Sequence, residues 1–339
     1  MQRVTEYFRM QPGHNDHHPA LRTAVGVGVP LLTLLLVGRL DLAVFAAFGA
    51  FTGIYSRNTH HRSRLREQTL AGGLLLVFIF AGQITSHSNA GPWVIVAGAS
   101  VVSGLGALGT GLGRLRPAGS LFHIFAYGAI ASIPHQAPIW QGMLVAIIVV
   151  VFNLFVGLST RLIPSRRTPW VAKVREPLTA KGRRTVYLES AQYFVAAAVA
   201  GSIATAMGIG HNYWAMVAAV VPLVGATVNH RVERGLNRIL GTAAGLLVTA
   251  AILLADPAPW AMVLLIAVLQ FAAEMYVLRH YALAQIFITP LALISTELAH
   301  HSEPGPLITD RAVETFIGAV VGIVVVVTMH YRRPTATVA

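Results

Sequence analysis

"NHRVERGLNRILGTAAGLL", residues 229–247, places Arg231, Arg234 and Arg238 within eight positions and then runs into glycine-dotted hydrocarbon. "NTHHRSRLREQTLAGGLLL", residues 58–76, does the same with Arg62, Arg64 and Arg66. Lysine and arginine collect on the cytoplasmic side of membrane spans, and their long side chains reach back to the interface from the first turn of an apolar helix. Both stretches therefore read as helices leaving the cytosol for a bilayer. Topological anchoring is their plainest role.

The composition agrees. Of 339 residues 55% are hydrophobic and 11% charged, with a mean hydropathy of +0.64, against roughly 25% charged residues in soluble domains. The net charge is +12. In a soluble protein that excess would suggest nucleic acid, but here it lies between apolar runs, so an anionic leaflet is the expected partner and nucleic acid is not. With no cysteine, disulfides, thiolate metal sites and a cysteine nucleophile are excluded. No short leader with a small-residue cleavage site precedes the first span, so no cleaved signal peptide is expected.

A transmembrane helix needs about 20 mainly apolar residues. On that basis the chain is an all-α polytopic membrane protein with about twelve spans. Those of the first half are 21–38, 40–56, 70–86, 92–112, 119–134 and 140–160; those of the second are 188–207, 212–228, 238–255, 259–277, 281–297 and 312–330. The corresponding domains are a cytosolic lead-in (1–20), a first six-helix block (21–160), a basic interfacial linker (161–187), a second block (188–330) and a cytosolic tail (331–339). Several spans are short. With both termini in the cytosol, all of the 25 lysines and arginines except Arg39 and Arg311 fall inside or at the inner edge, as the positive-inside bias requires. The linker "RLIPSRRTPWVAKVREPLTAKGRR" suits the inner leaflet, with Trp170 at headgroup level.

The two arginine stretches superpose. Setting Arg66 on Arg238 also sets Arg62 on Arg234, Gly38 on Gly210, Gly53 on Gly225 and Gly73 on Gly245. A slightly different offset sets His123 on Gln285 and Gly128 on Pro290. Six spans per copy keep the copies parallel, related by a pseudo-twofold axis along the membrane normal, with a shared pathway between them. The sequence leaves the oligomeric state open, a monomer containing this internal pseudo-dimer being one arrangement.

Polar residues inside a span cost about 2.5–3.5 kcal/mol each at a helix centre, so each needs a reason. Glu274, on one helix face with Gln270, is either a proton-coupling carboxylate or the inner-edge partner of Arg279, and the ion pair is the favoured reading. His123 and Gln285 each precede a helix-weakening Gly or Pro and are candidates for a pathway. Pro30, Pro222 and Pro290 interrupt spans, either as kinks or as breaks that expose backbone to substrate. The pairs His17-His18, His60-His61 and His300-His301 lack acidic or cysteine partners, and neighbouring residues do not share a helix face, so no metal is expected. "GLGALGTGLG" (104–113) lies in an apolar span and lacks the Lys-Ser/Thr ending of a nucleotide loop; close helix packing explains it, as it does Gly318 and Gly322. No nucleophile–base or paired-carboxylate arrangement emerges. The reading is of a non-enzyme without cofactors.

"ERGLNRILGTAAGLL", "YALAQIFITPLALISTEL" and "DRAVETFIGAVVGIVV" resemble the fusaric-acid-resistance (FUSC) and aromatic acid exporter family, mainly over residues 189–330. The resemblance implies an inner-membrane exporter of aromatic carboxylates and related anions. Plant aluminium-activated malate channels are distantly similar, with six spans per subunit about a dimer axis. Many relatives carry a sizeable cytosolic domain that this sequence lacks.

An anionic substrate would be gathered by a basic vestibule, and arginines from both repeats (Arg62, Arg66, Arg234 and Arg238) offer forked donors to a carboxylate. Tyr213 and Trp214, with Tyr55, Phe125 and Tyr127, supply aromatic surface. The expected function is proton-coupled export of organic anions across the bacterial inner membrane. Its rivals are a passive anion channel and a membrane scaffold accessory to envelope synthesis. The major facilitator superfamily fits less well, because its Gly, Asp and Arg-Lys loop signature is missing from 57–69.

Overall fold

Pro92 and Pro259 stand at the first positions of two apolar helices, where a missing N–H costs nothing. The Thr179 and Thr227 side chains cap two more by accepting from the Gly182 and His230 amides. The computed structural model describes residues 16–133, 137–164, 167, 169–171, 176–299 and 304–331. Among these residues all regular structure is helical. The α-helices are α1 (His17–Leu36), α2 (Ala43–Ala50), α3 (His61–His87), α4 (Pro92–Leu112), α5 (Leu121–Ala131), α6 (Ile139–Ser159), α7 (Ala180–Ala206), α8 (Tyr213–Val220), α9 (Val228–Leu254), α10 (Pro259–Tyr276), α11 (Tyr281–Ala299) and α12 (Pro304–Tyr331).

Eight of them, α1, α3, α4, α6 and α9 to α12, are long and apolar enough to cross a membrane. The others answer in order to four of the twelve expected spans but differ in kind. Helix α7 has 27 residues with a polar first half, whereas α2 and α8 have 8 residues and α5 has 11. These three short helices are also among the most buried, and every residue of α8 is withdrawn from solvent. A helix wrapped by others need not be long enough to span lipid, because its open backbone groups never meet hydrocarbon. Such an element reads as a span by hydropathy although its helix is too short to cross lipid by itself.

Several long helices begin well before the expected spans, with α3 at His61, α9 at Val228, α7 at Ala180 and α12 at Pro304. Hydropathy marks the part that suits lipid, while the helix continues through charged turns at either end. Pro30 and Pro290 lie within unbroken helices, the kink reading. Pro222 falls in the non-helical stretch between α8 and α9, the break reading. His300-His301 and the 332–339 tail lie outside the described residues.

Helix α3 packs on α5 and α6, and α9 packs on α11 and α12; α2 meets α6, and α8 meets α12. Between the halves α4 lies on α7 and α10 on α1, while α5 touches α8 and α11 touches α2. After α1 the amides of Gly38 and Arg39 bond back to the Leu35 and Leu34 carbonyls; after α7 those of Gly208 and Ile209 bond back to Thr205 and Ala204. Gly38 and Gly208 both have positive φ, at 68° and 75°, which glycine alone adopts freely at a helix C-terminus. The glycine that shares the conformation and bonding of Gly38 is thus Gly208, two residues before Gly210.

Candidate functional site

Helices α9 and α11 approach closely. A methyl at Gly241 would meet the Ala282 carbonyl and lie 2.5 Å from Gln285 Cβ, and one at Gly245 would lie 2.7 Å from Thr289 Cβ. This brings Arg238 and Gln285 together, and Arg238 Nη1 donates to Gln285 Oε1 at 2.7 Å. Both side chains are buried, as are Thr242 and Thr289 one turn further along each helix. Arg238 Nε and the two threonine hydroxyls have no hydrogen-bond partner. Two residues singled out from separate parts of the sequence therefore meet.

On the other side of α9, Gly318 and Gly322 let α12 press on the Ala215 and Ala219 carbonyls of α8, so here the packing reading of both glycines holds. The same face of α12 carries Arg311, Glu314 and Thr315, because positions i, i+3, i+4, i+7 and i+11 align on a helix. Arg311 is 1% exposed and Glu314 is fully buried. The Arg311 guanidinium lies 3.7 Å from the Trp214 ring centroid. Its Nε and Nη1, both Glu314 carboxylate oxygens and the Thr315 hydroxyl have no hydrogen-bond partner. Arg238, Glu314, Tyr213 and Tyr281 are the electrostatic neighbours of Arg311. Helices α9 and α12 thus carry one pattern on their buried faces, Arg-x-x-x-Thr-x-x-Gly, at Arg238-Thr242-Gly245 and Arg311-Thr315-Gly318.

Sequence reasoning put Arg311 outside the membrane and missed Glu314. It opened the last span at residue 312, whereas α12 starts at Pro304. The signal was present: Arg311, Glu314 and Thr315 share a face with the two packing glycines, which must point inward.

The other expected residues are more scattered. Arg66 is exposed beside Glu67, Arg114 and Glu176 in a surface recess, whereas Arg238 is buried, so the proposed arginine pair does not occupy matching surroundings. Arg62 is exposed, with Nη1 3.4 Å from the Trp170 carbonyl. The Arg234 guanidinium lies 4.1 Å from the Tyr281 ring centroid. His123 is fully buried in the first half, edge-on to Phe78 and away from Gln285, and neither ring nitrogen has a hydrogen-bond partner. Tyr213 and Trp214 pack with Phe125 of α5, the Trp214 and Phe125 centroids 4.6 Å apart.

Glu274 is paired, but with Arg57 rather than Arg279. Arg57 Nη1 contacts Glu274 Oε2, and its Nη2 donates to the Glu274 carbonyl at 2.9 Å. Arg279 Nε donates to Asp16 at 2.8 Å instead. The network fastens the start of α1 and the α2–α3 connection to the end of α10.

Residues 197–325 match the family model described as fusaric acid resistance protein-like. The uncharacterized membrane protein YvaC of Bacillus subtilis (strain 168) is 32% identical over 139 residues, which cover 41% of this chain and 22% of that protein. No solved structure matches the chain. The chain is a membrane protein with a fusaric acid resistance protein-like region, and that region contains Trp214, Arg238, Gln285, Arg311 and Glu314. The likeness to plant malate channels rests on the sequence reading alone.

Proposed function

We propose that this protein exports organic anions, aromatic carboxylates in particular, across the bacterial inner membrane by proton-coupled transport. The observation that carries the reading is Arg238. It is a guanidinium buried among apolar helices, fixed on one side by Gln285 and with Nε left open, within the region matched by the family model. A charge held inside a membrane bundle is costly, and such charges mark ion and substrate paths. Tyr213, Trp214 and Phe125 supply aromatic surface where the two halves meet.

The proposed architecture is two parallel six-element halves about an axis along the membrane normal, both termini cytosolic, with the short helices crossing together with their non-helical flanks. Its support is the recurrence of the α3, α5, α6 packing in α9, α11, α12, and the identical bonding at Gly38 and Gly208. Reporters fused after residue 339 or within 161–187 test the orientation.

The functional test is benzoate accumulation in proteoliposomes under an imposed pH gradient. Arg238→Gln is expected to weaken transport about ten- to a hundredfold, the worth of one charge-assisted hydrogen bond, and Arg238→Lys to restore part of it. Arg231→Gln, whose parent bonds the Gly225 carbonyl, serves as control. Equal transport by Arg238→Gln and Arg231→Gln at matched protein levels would reduce Arg238 to an anchor. Flow that only follows the benzoate gradient would make the protein a channel.

A further inference from the structure

We infer that Arg311 is the seat of the transported carboxylate inside the second half, and that Glu314 is a competitor for the same guanidinium built into the protein. The inference rests on the transport reading and adds to it the binding centre and its control.

Charge balance comes first. Arg238 and Arg311 bring two positive charges into the buried cluster and Glu314 one negative charge, so an ionised cluster has one positive charge uncompensated. Taking charge out of water is expensive unless it is neutralised. A monocarboxylate would neutralise this one.

Bonding comes second. Arg311 and Glu314 stand one turn apart on the same face of α12, the arrangement that elsewhere gives an ion pair. Yet Nε and Nη1 of Arg311 and both Glu314 oxygens have no hydrogen-bond partner. The buried carboxylate Glu274, by contrast, is engaged by Arg57. The Arg311 guanidinium carbon sits over the Trp214 ring, a contact that holds the cation without using an N–H. The donors remain available to a planar anion, and the hydroxyls of Thr242, Thr289 and Thr315 are unbonded on the neighbouring helix faces.

The competition follows. An ionised Glu314 lowers the positive potential at Arg311 and repels a second carboxylate; a protonated Glu314 does neither. Where the pH is high enough to ionise Glu314 in the anion-free protein, anion binding therefore takes up a proton, and affinity falls as pH rises further, by at most about tenfold per pH unit for one proton. The other titratable groups facing this point are few. They are Asp310 on α12 itself, bonded at 3.2 Å to His211 just ahead of α8, Tyr213 on α8, Arg238 on α9 and Tyr281 on α11. Helix α7, which also packs on α12, contributes Glu189 and Tyr193, whose charged neighbours are Arg231 and Arg234.

The test is calorimetric titration of the purified full-length protein with benzoate between roughly pH 6.5 and 10.5, with thermal unfolding as a check on folding. Wild-type protein is expected to bind most tightly at the acid end. Glu314→Gln should lose the pH slope and bind at the alkaline end more tightly than wild type, by up to about a hundredfold. Arg311→Gln should weaken binding about ten- to a hundredfold, and Arg311→Lys should retain part of it. Wild-type binding that persists unchanged in folded Arg311→Gln and Arg311→Lys overturns the inference and leaves the transport reading standing. So does an unaltered pH slope in Glu314→Gln. Absence of binding by the wild type, to benzoate and equally to malate, overturns both.

Discussion

Arg64 in the first half and Arg311 in the second are both large cations withdrawn from solvent on long helices, and their surroundings treat them in opposite ways. Three backbone carbonyls receive Arg64: Gly157 and Thr59 at 2.8 Å and Ser56 at 3.3 Å. Arg311 has an aromatic face beneath it, and two of its nitrogens are unbonded. The contrast extends to other groups. Asn153 of α6 donates to the Gly26 and Val149 carbonyls, and Gln68 of α3 to that of Tyr55. His123 and Gln83 in the first half have unbonded atoms on neutral groups. Arg22 and Arg57 leave only Nε unbonded, the first donating to the Arg57 carbonyl and the second paired with Glu274; Arg311 and Glu314, which lie in the region matched by the family model, leave two nitrogens and both oxygens unbonded. A buried arginine is therefore a poor guide to function until its donors have been accounted for.

The largest expected effect breaks the first side of that contrast. Arg64→Met strips donors from three backbone carbonyls, two of them buried, at about 1–3 kcal/mol each where no water replaces them, so a loss of about 4 kcal/mol is expected in unfolding measurements in detergent. The double change Arg311→Met with Glu314→Leu should instead be neutral or stabilising, by about 1–4 kcal/mol, since apolar replacement of a buried charge pair commonly is. If the two proteins lose stability alike, the contrast fails.

The Arg57–Glu274 pair gives the next effect. Arg57→Met alone should cost about 3 kcal/mol, because Glu274 is left buried without its cation, and adding Glu274→Leu should recover most of it. A double variant as unstable as the single one would show that packing, not charge, holds α10 to the α2–α3 connection.

The smallest effect sharpens the comparison at two glycines the sequence paired. A methyl at Gly73 meets nothing within 4 Å, whereas at Gly245 it meets Thr289 and the Gln285 carbonyl at 2.7 and 3.0 Å. Gly73→Ala should therefore stabilise α3 by about 0.5–1 kcal/mol, and Gly245→Ala should destabilise by about 1–3 kcal/mol. Thermal midpoints moving in the same direction would show that the close approach of α9 and α11 can relax.

The order of the helices was legible because hydropathy and arginine placement are local properties. Residues 92–112 were read to the residue, since Gly91-Pro92 starts that helix and Gly113 follows its end. What was not legible was burial by other helices, so hydropathy did not separate the short α2, α5 and α8 from the long apolar helices. Arg311 was read apart from its helix for a related reason: the span was opened at the first apolar residue, while the helix around it begins at Pro304. The partner of Glu274 lies 217 residues away in the chain, and no local pattern selects Arg57 over Arg279. Gly208 shows the same weakness on a small scale, since matching letters chose Gly210 and only the backbone conformation tells them apart.

The ionic network at the start of α1 gives the molecule two unlike joints. Where α1 lies on α10, Arg57 reaches Glu274 and Arg279 reaches Asp16, contacts that need correct angles and fail abruptly when helices slide. Where α4 lies on α7, Gly104 and Gly111 pack against Phe194 and Val186 and Ser103 donates to the Tyr193 carbonyl, so that small and apolar surfaces carry a neutral hydrogen bond in place of ion pairs and resist shear less. A relative movement of the halves would thus pivot at the first joint and slip at the second.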